Sequence, residues 1–322
     1  MKKHQYIRFL IILTVTVLTI SACYSPFIKQ SINNYTINSE SNCRIIKHQQ
    51  GETCVPLNPQ RLVILDEETL EVVLALGLKP VATAEANWVA SKQQTFLTKS
   101  AGIISLGKSA NPNLERMVKL HPDLILGMHS DAEQYLLFSQ IAPTVMFDFG
   151  DTAWKQTFLS IGNAINKNQQ ARYILKQYEK RVEQVKKVVS QQFKTKKVTV
   201  SRFYAAGQET EFRTPYSFPV HVLLELGFSL PQKQLELTQK NLPRVGVTIE
   251  SVELLDASAL FIALDPGSEI NFTKYRKSPL WQKLNVVKNS QVYIVNSSYW
   301  IFGNILSANA IIDDIYKYVL DK

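Results

Sequence analysis

Between Thr152 and Phe193 the chain carries helical spacing and no strand pattern. Ala171, Ile174, Leu175, Tyr178, Val182, Val185 and Val189 step by three and four residues, with Lys and Gln on the opposite face and neither Pro nor Gly to interrupt them. The spacing predicts one helix over 171–193, about 35 Å long at the usual rise per residue. A helix of that length cannot bury its apolar stripe alone, and the segments on either side alternate strand and helix. It therefore reads as a rigid strut joining two lobes.

On the N-terminal side, Arg61–Leu65 reads as a short buried strand. Glu68–Leu76 follows as a helix closed by Gly77, a residue suited to a left-handed cap, and Val81–Ala84 as a second strand. The alternation continues through a helix over 112–120, a strand over 123–127, a helix over 132–140 and a strand over 144–147. Beyond the strut, strands are expected over 197–203, 259–264 and 291–295, a helix near 220–226 and a closing amphipathic helix over 307–320. The halves echo each other: Leu70–Gly77 resembles His221–Gly227, and Glu115–Gly127 resembles Glu250–Leu264. The fold class is α/β, two Rossmann-like lobes with central, mainly parallel sheets joined by one long rigid helix.

The N-terminus adds an address. Lys2, Lys3 and Arg8 precede an apolar run from Phe9 to Ile20, and the small residues Ser21 and Ala22 adjoin Cys23. This is the pattern of a secretory signal, and the run is shorter than the roughly 20 residues a membrane span needs. Ile20-Ser-Ala-Cys23 also resembles the lipobox of bacterial lipoproteins, in which the cysteine takes a lipid after cleavage. Of three cysteines this leaves Cys43 and Cys54, expected to pair as a disulfide in an exported compartment. A redox or metal pair is the alternative, but no third or fourth ligand lies nearby.

The expected organisation is a signal peptide over 1–22, a lipid-anchored tether over 23–42, an N-terminal lobe over 43–151, the linking helical region over 152–194 and a C-terminal lobe over 195–322. Net charge is +9, or +6 without the three basic residues of the signal, and the excess is spread out. Nucleic-acid binding is therefore not expected.

Several stretches carry a family resemblance. Arg61-Leu-Val-Ile-Leu with Glu71-x-x-x-Ala-Leu-Gly-Leu-Lys-Pro80 opens it. Gly107, Pro112-Asn-Leu-Glu115 and His121-Pro-Asp-Leu-Ile-Leu-Gly127 continue it, and Ser139–Val145, Pro279-Leu-Trp281 and Tyr299–Asn304 complete it. In order and spacing these resemble periplasmic substrate-binding proteins of ABC importers, in the group with two α/β lobes and one connecting helix that handles ferric siderophores, haem and cobalamin. Within that group the Cys43–Cys54 hairpin and the Arg202-Phe203 and Tyr299-Trp300 pairs look most like ferric-siderophore binders.

The resemblance implies capture of a ferric siderophore between the lobes and delivery to a permease with its ATPase. Haem or cobalamin is the alternative cargo. A monomer is expected, lipid-anchored through Cys23 to the cell membrane on its periplasmic or outer face. Glu71 and Glu225 match acidic positions through which the family engages permease arginines. As solvated helix glutamates they would need no such role.

In α/β lobes, ligands sit beyond the carboxyl ends of parallel strands. The candidates are therefore Glu85–Trp88, Gly107-Lys108, His129-Ser130 and Asp148-Phe149 in the first lobe. In the second they are Arg202–Tyr204, Arg213–Tyr216, Asp265 and Tyr299–Phe302. A ferric chelate with carboxylate or hydroxamate oxygens suits Arg forks and aromatic faces.

The expected ligand-binding set is Arg202, Arg213, Tyr216, Trp88, Tyr299, Trp300, Phe302, Lys108 and His129. Arg202 comes first, because a basic residue ending an apolar strand is costly to bury unpaired. An internal salt bridge for Arg202 and core packing for Trp300 and Tyr299 remain open. No protein metal site or cofactor is expected, so iron should arrive already chelated. No Gly-x-Ser-x-Gly elbow, phosphate loop or His-Glu-x-x-His helix points to an enzyme.

Overall fold

The computed structural model describes residues 43–85, 101–128, 130–148, 150–192, 197–205 and 209–320. Two five-stranded sheets form the two lobes. The first has the order β5-β4-β3-β6-β7 and is parallel throughout, with β3 Leu62–Ile64, β4 Ala82–Glu85, β5 Ile104–Lys108, β6 Leu124–Gly127 and β7 Thr144–Met146. Its central strands β3 and β6 are apolar and buried along their length, as strands covered on both faces must be.

The second sheet has the order β10-β9-β8-β11-β12, with β8 Val198–Phe203, β9 Thr210–Arg213, β10 Arg244–Val247, β11 Ala259–Leu264 and β12 Val292–Asn296. Here β8, β11 and β12 are parallel, whereas β9 and β10 run antiparallel. The expected α/β alternation misses these two strands: Thr210-Glu-Phe-Arg213 carries two charges in four residues and reads as a loop.

The strut is a single helix, Asn168–Gln192, of 25 residues. A separate helix, Trp154–Ala164, precedes it and turns through Asn166, whose φ is +58°. One continuous core runs from Leu70 and Val73 in the first lobe through Tyr178 and Val182 on the strut to Phe218 and Ile311 in the second. Trp154 meets both Tyr178 and Phe218 edge-on at 5.1 and 5.9 Å between ring centroids. The lobes are therefore joined by packed side chains as well as by a peptide link. Separate clusters fill the outer faces of the two sheets.

Ahead of the first sheet stands an antiparallel hairpin, β1 Cys43–His48 and β2 Gly51–Pro56, which brings the Cα atoms of Cys43 and Cys54 to 5.5 Å. That spacing lies within disulfide range. The hairpin is fastened to β7: Thr53 Oγ1 donates to the Thr144 carbonyl at 2.8 Å and the Gln49 N–H to the Met146 carbonyl at 3.1 Å. Arg44 donates to the carbonyls of Asn163 and Ala164 at 3.0 and 3.1 Å, closing the C-terminal end of the Trp154–Ala164 helix. Among the described residues no helix is long and apolar enough to cross a membrane. Cys23 and the signal and tether segments lie outside the described residues.

Candidate functional site

In the antiparallel pair β8–β9, Arg202 stands opposite Glu211. Side chains alternate along a strand, so Arg202, Glu211 and Arg213 share one face. All three are buried, at 1%, 3% and 1% exposure, and charges so placed must be paired. Arg202 meets Asp265, the residue after β11, through Nη2 at 2.8 Å and through Nε at 3.0 and 3.2 Å from the two carboxylate oxygens. Arg213 Nη1 donates to Glu211 Oε1 at 2.8 Å. Glu211 Oε2 accepts from the Tyr204 hydroxyl at 2.6 Å and lies 3.5 Å from Arg244 Nε. Burial and this carboxylate partner push the Tyr204 phenol above its ordinary pKa.

The other edge of Arg213 is different. Its Nε and Nη2 are buried and have no hydrogen-bond partner among the described residues. Those two N–H groups form one planar fork, the geometry that receives a carboxylate through two parallel bonds. The facing group is Asp151, just beyond the last strand of the first sheet, whose Oδ2 lies 3.8 Å from Nη2, too far for a hydrogen bond. Burial raises the Asp151 carboxyl to about 6 against the opposing pull of Arg213. The Phe302 ring covers both guanidinium groups, with centroid distances of 5.5 Å to Arg202 and 5.7 Å to Arg213. The structure thus assembles Arg202, Arg213 and Phe302 from three separate parts of the second lobe, against Asp151 of the first.

The other expected contacts are distributed differently. Trp300 is fully buried, stacked on Phe261 at 4.6 Å, and its Nε1 donates to Asp314 Oδ2 at 2.7 Å. The Tyr299 hydroxyl donates to the same oxygen at 2.8 Å. Both polar tips are therefore held by the C-terminal helix; Trp300 is buried, whereas Tyr299 is half-buried. Tyr216 is half-buried, three residues past the end of β9 in the turn before the Phe218–Glu225 helix, and Arg213 ends β9 itself rather than lying in a loop. Lys108 is exposed at the end of β5. Trp88, His129 and Phe149 lie outside the described residues.

Glu71 and Glu225 do not form an outward-facing pair. Glu71 is 4% exposed, and its carboxylate accepts from the N–H groups of Asn304 and Ser307 at 3.0 and 2.7 Å and from Ser307 Oγ at 2.8 Å. Burial lifts its carboxyl to about 7 against those three donors. Half-buried Glu225 accepts from the Tyr178 hydroxyl at 2.8 Å and pairs with Lys155 at 2.6 Å. Both carboxylates thus have internal partners, Glu71 fully buried and Glu225 partly exposed. Sequence reasoning passed over Glu211, Arg244 and Asp151. The period-two alternation of Thr210–Arg213 is the signal that could have exposed the first.

A model of the periplasmic binding protein family matches residues 62–228. The chain belongs to that family. A Bacillus subtilis protein named "Probable siderophore-binding lipoprotein" is 33% identical over 99% of both chains. The achromobactin-binding periplasmic protein of Dickeya dadantii is 32% identical over 80% of this chain and 86% of its own. Among solved structures, Staphylococcus aureus SirA complexed with staphyloferrin B superposes with a TM-score of 0.76 at 27% identity, covering 86% of this chain and 98% of that one. These relatives carry the names of binding proteins rather than of enzymes. Among the described residues, no group of three or more His, Cys, Asp or Glu could hold a metal ion.

Proposed function

We propose that this family member is the substrate-binding component of an ABC importer and takes up a ferric siderophore between its two lobes, binding it without turnover. The observation that carries the reading is the Nε/Nη2 fork of Arg213, buried beside Arg202 and beneath Phe302, which faces Asp151 at 3.8 Å and makes no hydrogen bond among the described residues. A cationic, aromatic-capped fork favours an iron chelate that bears carboxylates, and the names of the relatives agree in kind. Iron enters as part of the chelate, with no protein ligand to the metal.

The remaining features fit an exported, lipid-anchored monomer. The signal pattern over 1–22 ends at Cys23, and the 5.5 Å spacing supports a Cys43–Cys54 bridge. With Glu71 and Glu225 committed inside, permease docking passes to Glu115 and Glu250, exposed carboxylates at equivalent places in the two echoed units. Reversing both charges should leave chelate binding intact and abolish uptake by cells; unaffected uptake would remove them.

The deciding measurement is a fluorescence titration of the mature chain with ferric citrate, ferric staphyloferrin B, ferric tris(acetohydroxamate), haem and cobalamin side by side. Saturable quenching by the carboxylate chelates is expected. Tight binding of haem or cobalamin with none of the iron chelates would overturn the reading.

A further inference from the structure

Glu71 is a buried carboxylate that the cleft chemistry does not use, and its partners lie far away in sequence. It projects from the middle of the first-lobe helix Glu67–Ala75 and accepts from Asn304 and Ser307, 233 and 236 residues later. Those residues open the helix Ile305–Ile315, eleven residues long, whose first N–H groups have no partner within the helix. Asn304 supplies only a local cap, its side-chain oxygen accepting from the Ile305 N–H at 2.9 Å while its amide donates to the Trp154 carbonyl at 3.3 Å. The remaining capping is provided by Glu71 from the other lobe. A negative charge at a helix N-terminus is also favoured by the helix dipole.

The turn entering this helix carries Phe302 over the two arginines. Gly303 links Phe302 to Asn304 and is packed so closely that a Cβ there would lie 2.3 Å from Ser307 Cβ and 3.2 Å from Phe218. Little slack therefore separates the capped residue from the cleft ring.

We propose that Glu71 is a positioning residue for the ligand cleft: presented by the first lobe, it holds the start of the Ile305–Ile315 helix and thereby fixes Phe302 against Arg202 and Arg213. This rests on the reading of that cleft as the chelate site. It makes the placement of a second-lobe ring depend on a first-lobe helix. The requirement is for acceptors at the right place rather than for charge. A glutamine can keep one oxygen for both N–H groups and donate its amide to Ser307 Oγ, whereas an aspartate, one methylene shorter, falls short of them.

The test uses Glu71→Gln, Glu71→Asp and Glu71→Ala in the mature chain, titrated with ferric citrate and ferric staphyloferrin B, alongside hydrogen exchange of the 302–307 amides. Glu71→Gln should bind within about threefold of wild type with unchanged exchange. Glu71→Asp and Glu71→Ala should lose about tenfold or more in affinity and exchange faster at Asn304 and Ser307. In a Phe302→Ala background the same substitutions should cost little further affinity, because residues acting through one another are not additive.

A folded Glu71→Ala or Glu71→Asp within twofold of wild type would overturn the proposal, as would full additivity with Phe302→Ala or failure of Glu71→Gln to rescue. Should Glu71→Ala not fold, Glu71→Asp against Glu71→Gln decides. A wild-type chain that binds no ferric chelate would instead sink the reading of the cleft, and the two failures are thus distinct.

Discussion

The two five-stranded sheets place their chemistry differently. In the first, every pairing is parallel, and the buried strand positions hold only apolar or hydroxyl-bearing side chains or Gly127. Its polar groups gather after the strands, as with Asp66, which caps the next helix, and Asp151. In the second lobe the antiparallel insertion β9–β10 puts Glu211 and Arg213 on a strand, directly beside Arg202 on β8. A strand holds side chains more rigidly than a loop does. The departure from parallel order is therefore where the second lobe can keep fixed, buried charges, while the first offers groups on turns that can adjust.

If that contrast is right, the largest effect should come from Arg202→Ala. It leaves Asp265 buried without its cation and should cost about 3–5 kcal/mol of stability in chemical denaturation. A loss confined to ligand affinity would show instead that Arg202 is chiefly a ligand contact. Next comes Arg213→Gln, which removes the fork proposed to meet the chelate and should weaken carboxylate chelates about 100-fold, some 2.7 kcal/mol, in the fluorescence titration. Arg213→Lys should not restore it, because an ammonium lacks the planar fork. Phe302→Ala should cost about tenfold or more in affinity through lost cation–π contact, with little change in stability.

The smallest effect is a pH dependence. The Glu71 carboxyl is raised from 4.5 to about 7 in the folded chain, so the folded state holds this proton more tightly than the unfolded state. Its contribution to stability is fully present below about pH 4.5, is lost as pH climbs through about 7, and is flat beyond. Asp151 at about 6 and Glu68 at about 8 act in the same direction. Glu71→Gln should flatten part of the wild-type decline in melting temperature between pH 4.5 and 7, and an unchanged slope would assign the decline to the other two.

Much of the architecture was legible because it rests on periodicity. The strut spacing from Ala171 to Val189 is three-and-four stepping over more than four turns, and no tertiary context competes with it. The apolar runs of β3, β6 and β11 were equally plain. Strand β9 was not, since its charges are buried by partners that only the fold supplies.

The site was legible as residue types rather than as roles. Arg202, Arg213 and Phe302 do converge, but no spacing could show that Arg202 is neutralised by Asp265 while one edge of Arg213 makes no hydrogen bond and faces Asp151 at 3.8 Å. An aromatic beyond a strand, such as Trp300, looks the same in sequence whether its indole meets ligand or Asp314. Glu71 looked solvated for the complementary reason: the helix it caps begins 233 residues later.

The hairpin at Cys43–Pro56 has a mechanical meaning. Any tension reaching the folded body along the residues before Cys43 arrives first at this small ribbon. Its two strands are drawn together at Cys43 and Cys54, its turn hydrogen-bonds to Met146, and Arg44 grips the end of the Trp154–Ala164 helix. A pull there would be spread over a sheet edge and a helix end at once, so no single strand of the first sheet would carry it alone.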